Sequence, residues 1–221
     1  MSDARSSDAS SSDAAHSDAP GSDAAHSDAP GSESVDPLAL AADWLPANSD
    51  PDRPRMTLGT TGADGFPAAR TVLLTAMTAD GFSFNTDSRS QKVADIGADP
   101  RVSLVFVWPG FSRQLVVQGI ASAQPDTERV AAYTRRSPYL KLLAWVNSAS
   151  FARRSLEERR AEWARTEARY PEGPTEVAPS WDGYVVRPTR LLFWEAAADT
   201  ASRRTEYHLT PDGWQVDNLP G

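Results

Sequence analysis

Three segments hold residues whose types and spacing could do chemistry. Arg70-Thr71-Val72-Leu73-Leu74 places an arginine at the start of an apolar run with strand character. Asn85 to Lys92 (NTDSRSQK) is a polar stretch leading into a short helix expected over Ser90–Ala98. Arg113-Gln114-Leu115-Val116-Val117-Gln118-Gly119 puts a cation and amides at the start of another strand. A helix N-terminus carrying Ser90 and Lys92, with Arg70 nearby, is a sound phosphate site: unpaired backbone N–H groups point at the anion and the cations neutralise it. Each residue also has an ordinary role open to it: Ser90 as a helix cap, Lys92 as a solvated charge, Arg70 paired with a neighbouring acid.

Other chemistries have little to stand on. The 221-residue chain has no cysteine and three histidines, of which only His208 lies outside the first 34 residues. Thiolate metal sites, cysteine nucleophiles and disulfides are excluded, and a Ser-His-acid arrangement has one histidine to draw on. Adjacent acids such as Glu157-Glu158 fall on a strongly charged helical stretch and read as a solvated face. Gly59, Gly62 and Gly65 sit in a hairpin turn with no crossover helix after them, so they are not a dinucleotide fingerprint.

The net charge of −8 is unevenly placed: residues 1–34 carry seven acids against one base, leaving −2 to residues 35–221. A nearly balanced body gives no polyanion-binding surface, and no nucleic-acid partner is expected. The longest apolar run, Val102 to Trp108, is far too short for a bilayer, so no membrane association is expected. The chain start lacks the basic and apolar stretches of a secretory signal, and with no cysteine to oxidise, a cytoplasmic location is expected.

Residues 12–21 (SDAAHSDAPG) recur letter for letter at 22–31. Such text has too little apolar surface to offset chain entropy, so residues 1–34 read as a disordered acidic leader before one domain, residues 35–221. In that domain Asp36-Pro37 opens a short amphipathic helix ending before Pro46. Asp64-Gly65 and Asp80-Gly81 mark hairpins among strand-like runs 56–61, 67–76 and 82–86. Runs 102–108 and 113–123 follow; 126–169 turns helical, with Trp163 as the inward anchor of 156–169. The end returns to strands at 181–186, 191–195, 204–209 and 214–218. The expected fold is α+β, mainly β: a Greek-key split barrel of six to seven antiparallel strands with flanking helices.

On these residues the chain resembles the pyridoxamine 5′-phosphate oxidase family of FMN-binding split barrels. The resemblance runs from Arg70–Leu74 and Gly81–Lys92 through Asp99-Pro100, Trp108, Arg113-Gln114 with Gly119, and Trp145-Val146 with Ser150. It continues over Pro179–Tyr184, Phe193-Trp194, Trp214 and Asn218–Pro220, covering about residues 36–221. It implies a homodimer with FMN at the subunit interface. Carried over position by position, FMN would meet Arg70, Thr71, Val72, Leu73, Thr86, Gln91, Lys92, Gln114, Ser150, Trp194 and Arg204. Arg70 and Lys92 would hold its phosphate; Gln114 and Trp194 would lie against the ring system. Gln91 stands where the family has an arginine and Ala149 where it has a glutamine, and one lost charged contact costs about 1.5–3 kcal/mol.

The substrate side departs further. Thr75 stands at the family's lysine; its phosphate-binding tyrosine and arginine fall at Tyr133 and Ser137, with Arg136 one place earlier. Its arginine-leucine-histidine run is Thr200, Ala201 and Ser202 here. Two missing cationic anchors amount to roughly 3–6 kcal/mol, about a hundred- to ten-thousand-fold in affinity. That argues against a B6 phosphate as substrate. Ser90-Gln91-Lys92 and the uncharged Thr75 are closer in character to the phenazine-biosynthesis oxidases. The expectation is an FMN-dependent oxidase removing hydride from a small, partly reduced cyclic or nitrogen-containing metabolite of a secondary-metabolite pathway, with oxygen as acceptor. Two alternatives are a pyridoxamine/pyridoxine 5′-phosphate oxidase and a non-catalytic flavin or haem carrier. No metal site is expected.

Overall fold

The computed structural model describes residues 35–50 and 52–221, so the reading of residues 1–34 as a disordered leader lies outside the described residues. Helix α1 (Pro37–Trp44) starts as the sequence implies: the Asp36 carboxylate accepts from the Leu38 N–H, and proline occupies the first turn. Strands β1 (Arg55–Thr61) and β2 (Pro67–Leu73) form the Asp64-Gly65 hairpin, in register from Arg55 opposite Leu73 to Thr61 opposite Pro67. The short β3 (Ala76–Thr78) turns through Asp80-Gly81 into β4 (Gly81–Asp87). Helix α2 (Gln91–Ala98), β5 (Arg101–Val107) and β6 (Arg113–Ala123) follow. Four helices come next: α3 (Asp126–Thr134), α4 (Pro138–Val146), α5 (Ala149–Ala152) and α6 (Leu156–Arg169). Strands β7 (Trp181–Glu195), β8 (Arg203–Thr210) and β9 (Gly213–Pro220) close the chain.

The strands make one antiparallel sheet in the order β2-β1-β5-β6-β7-β4-β3, with β8 and β9 added beside β7. This curled sheet with helices on its flanks is the split-barrel architecture expected. Seven strands make the continuous path of the sheet, and the terminal hairpin of β8 and β9 extends it beside β7. Strand β7 is also one continuous 15-residue element where the sequence suggests two, broken at Pro188. The break is absorbed by a register shift between Gln118 and Gly119 on β6, opposite Pro188. A Cβ on Gly119 would run into the Arg187 carbonyl oxygen, so glycine alone permits this approach. The first half of β7 pairs with β4 and the second with β8, which is how one strand serves both parts of the barrel.

Alternation drives the packing. Met56, Leu58, Leu104 and Phe106 point inward from β1 and β5, meeting Phe82, Phe84, Leu115, Val117 and Leu191 in the main core. A smaller cluster of Ala132, Tyr133, Ala178 and Trp181 ties α3 to the start of β7. Helix α6 carries a complete capping box of Ser155 and Glu158, but none of its residues is fully buried. Trp163 is half-buried against Tyr139, with ring centroids 5.1 Å apart.

Candidate functional site

A cleft of about 500 Å³ opens where β2, the end of β4, the start of α2 and one face of α4 converge. Strand β2 contributes Arg70, Thr71, Val72 and Leu73; β4 and the turn after it contribute Asn85, Thr86, Asp87 and Ser90. The far wall is apolar, made by Leu140, Leu143 and Ala144 of α4 beside the Trp181 ring.

The α2 end of the cleft is cationic. Lys92 is half-buried and its Nζ donates to Thr86 Oγ1 at 3.0 Å. Burial, then the neighbouring Arg70 charge, push its pKa below the ordinary lysine value. Arg70 is held from beneath: Nη1 donates to Thr60 Oγ1 at 2.6 Å, and Nη2 lies 3.3 Å from Asp95 Oδ2. Asp95 is 1% exposed and also accepts from Thr60 at 2.7 Å and Gln91 at 2.8 Å. Those two hydrogen bonds, Gln91's foremost, keep its carboxyl below the usual carboxylate range, so it stays ionised. Ser90 occupies the N-cap position without capping by its side chain; its hydroxyl instead lies 3.4 Å from that of Thr86.

Another cation stands beside the apolar wall. The Arg136 guanidinium stacks 4.4 Å over the Trp181 ring, and its Nε donates to the Leu140 carbonyl at 3.3 Å. Burial lowers its pKa to about 10, and it forms no ion pair among the described residues. Trp181 is fixed in turn, its indole N–H donating to the Arg129 carbonyl at 3.0 Å.

A separate row forms on the sheet. Gln114 of β6 is directly opposite Trp194 of β7, which is directly opposite Arg204 of β8, so the three share one face. The Trp194 indole N–H donates to Ser202 Oγ at 2.9 Å, and Phe111 stacks on its ring at 4.6 Å. None of the three lines the cleft of the same chain.

The structure thus gathers Arg70, Thr71, Val72, Leu73, Thr86, Lys92 and Arg136 around one cleft, with Gln91 at its rim on Asp95. It sets Gln114, Trp194, Arg204 and Ser202 apart in the row. Ser150, on α5, instead lines a cavity between α4 and α6, its hydroxyl 3.0 Å from that of Ser148. Thr75 faces a third cavity, and its hydroxyl is buried without a partner. Tyr133 is fully buried; its hydroxyl donates to the Pro174 carbonyl and accepts from the Trp145 indole, and burial raises its pKa. Ser137 caps α4 by accepting from the Leu140 N–H, and Thr200 is exposed. Sequence reasoning missed Asp95 and the α4 wall, and it gave Asn85, the first residue of its polar stretch, no role of its own. The Gln91–Asp95 spacing of four was the available signal for the first.

The donor set fits FMN: cations and a hydroxyl for a phosphate at the α2 end, and an apolar wall for a flat ring. In the same lining the Asn85 Oδ1 is a buried acceptor without a partner. Among the described residues no histidine or carboxylate cluster of metal-ligating geometry occurs, and no helix is long and apolar enough to cross a membrane.

A cleft with a cationic end beside an apolar wall suits a flavin nucleotide, and the comparisons with known proteins point to a flavin-binding family. Residues 50–170 match the pyridoxamine 5′-phosphate oxidase family. A pyridoxine/pyridoxamine 5′-phosphate oxidase of Nocardioides sp. is 34% identical over 83% of this chain and 87% of its own. One from Cupriavidus metallidurans is 38% identical over 76% of this chain and 80% of its own. Among solved structures, PhzG from Burkholderia lata 383, crystallised with tetrahydrophenazine-1-carboxylic acid, superposes with a TM-score of 0.71. It is 22% identical, and the match covers 84% of this chain and 92% of that one. An FMN-binding protein related to pyridoxamine 5′-phosphate oxidase from Nostoc punctiforme gives 0.66 at 20% identity, covering 85% and 99%. The chain belongs to the pyridoxamine 5′-phosphate oxidase family.

Proposed function

We propose that this protein is an FMN-dependent oxidase, acting as a homodimer on a small, anionic, partly reduced cyclic or nitrogen-containing metabolite, with oxygen as acceptor. The observation that carries the reading is the cleft itself: Lys92 and Arg70 at its α2 end, the unpaired Arg136 over Trp181 beside its apolar wall. Lys92 and the start of α2 would take the FMN phosphate. Val72, Leu73 and the α4 wall would exclude water from the ring, and Arg136 would orient the substrate's anionic group. The row of Gln114, Trp194 and Arg204 would complete the site from a second copy, since these residues lie outside their own chain's cleft. The chemistry FMN supplies when bound is hydride acceptance followed by reoxidation with oxygen. The residues lining the cleft then need only bind and orient, because no strong base is required.

The substrate reading follows from the anchors. Thr75 lines another cavity, Thr200 and Ser202 carry no charge, and the Tyr133 hydroxyl is committed to the second core. Arg136, held over Trp181 without an ion pair among the described residues, suits a carboxylate, which favours a phenazine-type dihydro-aromatic acid. A second reading, oxidation of pyridoxine or pyridoxamine 5′-phosphate, is favoured by the names of the relatives at 34% and 38% identity.

The test is the visible spectrum of the purified protein, followed by peroxide release with candidate substrates. A yellow protein that consumes oxygen with a dihydro-aromatic carboxylate supports the reading. Turnover of pyridoxine 5′-phosphate at micromolar KM selects the second. A bound flavin that no substrate reduces leaves a carrier, and a colourless protein that takes up no FMN sinks all of them.

A further inference from the structure

The charge at the α2 end does not match the side chains seen there. Arg70 and Lys92 both line the cleft, yet Arg70 is spent on the protein's own acceptors: Thr60 at 2.6 Å and Asp95 at 3.3 Å. Asp95 is one turn along α2 from Gln91 and reaches beneath the cleft floor to β1, where it meets Thr60. Its carboxylate accepts from three donors (Gln91, Thr60 and Arg70) and is buried to 1% exposure, while the Arg70 side chain is 23% exposed. A guanidinium is strong for phosphate because it offers two parallel N–H groups to one anion. Here one Nη faces Asp95 and the other faces Thr60, so that fork is turned inward.

We propose that Asp95 sets the phosphate preference of this cleft: its buried carboxylate neutralises Arg70, leaving Lys92 as the one uncompensated cation at the α2 end among the described residues. The inference rests on the FMN reading and deepens it. A site of net +1 takes the phosphate of FMN with little preference for its dianion, and separates FMN from riboflavin only modestly. Lys92 is itself half-buried, and an approaching anion offsets the cost that burial imposes on its charge. Gln91 matters in the same way, because it holds the carboxylate in place without adding charge.

The experiment compares dissociation constants for FMN and riboflavin, by flavin fluorescence quenching, in the full-length protein and its Asp95→Asn variant. Asparagine keeps the shape and can still bond Gln91 and Thr60, but it releases Arg70 from its counter-ion. FMN should bind about tenfold tighter, the 1.4 kcal/mol that one partly screened charge supplies, with riboflavin changed less than twofold. Unchanged or weaker FMN binding in a folded variant overturns the proposal. A wild-type protein that binds neither flavin overturns the FMN reading instead.

Should the variant fail to fold, the wild type still decides. FMN affinity is measured at pH 5.5 and 7.5, about either side of the phosphate's second ionisation near 6. The charged groups at the α2 end are Arg70 on β2, Asp87 at the end of β4 paired with Arg89 at 2.6 Å, and Lys92 with Asp95 on α2, so Lys92 remains the unpaired charge among the described residues there; Arg55 and Arg136 also line the cleft. Hydrogen bonds hold the Asp87 and Asp95 carboxyls below the usual carboxylate range, so the ligand's phosphate is the group that gains charge between the two pH values. A gain below threefold supports the single-cation site; a gain above tenfold overturns it.

Discussion

The Arg136 guanidinium lies 4.4 Å over the Trp181 ring inside the cleft, and no carboxylate among the described residues pairs with it. A desolvated cation resting on an indole face is held in place without its charge being cancelled. Replacing Arg136 by Ala should therefore cost the anionic substrate one charged contact, about 1.5–3 kcal/mol, or roughly ten- to a hundredfold in kcat/KM. FMN affinity should change less than threefold. Stopped-flow flavin reduction against a carboxylate and its neutral amide checks this: equal losses for both would mean that Arg136 only supports Trp181.

Lys92 shows the opposite balance. Burial and Arg70 disfavour its charged form, so the folded chain releases that proton at a lower pH than the unfolded chain does. The cost is present below the folded pKa and disappears as pH rises toward the unfolded value of about 10.4. Lys92→Met should then raise the thermal midpoint of the flavin-free protein at pH 7 by about 1–2 °C. It should also weaken FMN, and not riboflavin, by about tenfold or more. Calorimetry and flavin titration read the two effects separately, and a lower midpoint would count against the burial argument.

How much of this was legible beforehand depends on the range of the signal. Arg70 at a strand start and Lys92 in the first turn of α2 are local features, and the sequence places both beside one anion. The hairpin at Asp64-Gly65 and the cap at Asp36 are equally local. The row of Gln114, Trp194 and Arg204 depends on cross-strand register, which motif order implies but local pattern does not fix. Continuity of β7 through Pro188 was hidden, because its explanation lies on another strand at Gly119. Tyr133 looked like a substrate contact; whether a tyrosine hydroxyl turns to the site or to the core is decided by Trp145 and Pro174, distant in sequence.

Asp95 gives the fold an acid limit. Its folded pKa lies below the unfolded value of about 3.9, so it contributes stability above that value and loses it as pH falls through the folded pKa. The Gln91 hydrogen bond is the largest contributor and comes from an exposed position. Gln91→Met should move the acid-unfolding midpoint to higher pH and cost about 1 kcal/mol at neutral pH. Circular dichroism between pH 2 and 7 reads it; an unmoved acid midpoint would show that Thr60 and Arg70 suffice.

At Gly119 the close approach of β6 to the Arg187 carbonyl leaves no room for a methyl group. Gly119→Ala should destabilise by about 1–3 kcal/mol in urea unfolding. Because the register shift beside Gly119 lies on the strand that carries Gln114, flavin binding should suffer with it. A variant as stable as the wild type would mean that the β6–β7 pairing can slip at no cost.

The last prediction separates a site completed by two chains from a site within one. Lys92→Met damages the cleft and leaves the row of Gln114, Trp194 and Arg204 intact, whereas Trp194→Ala does the reverse. If the row of one chain covers the cleft of another, a mixed dimer of the two variants contains one site with both halves sound and one with both damaged. Co-expression with two affinity tags should yield a heterodimer binding one FMN with near-wild-type affinity, although each parent variant binds about tenfold or more weakly at both sites. A site built within one chain has no such rescue, because every cleft in the mixture would carry one lesion. Flavin stoichiometry on the doubly purified heterodimer, near one per dimer or near none, decides between the two arrangements.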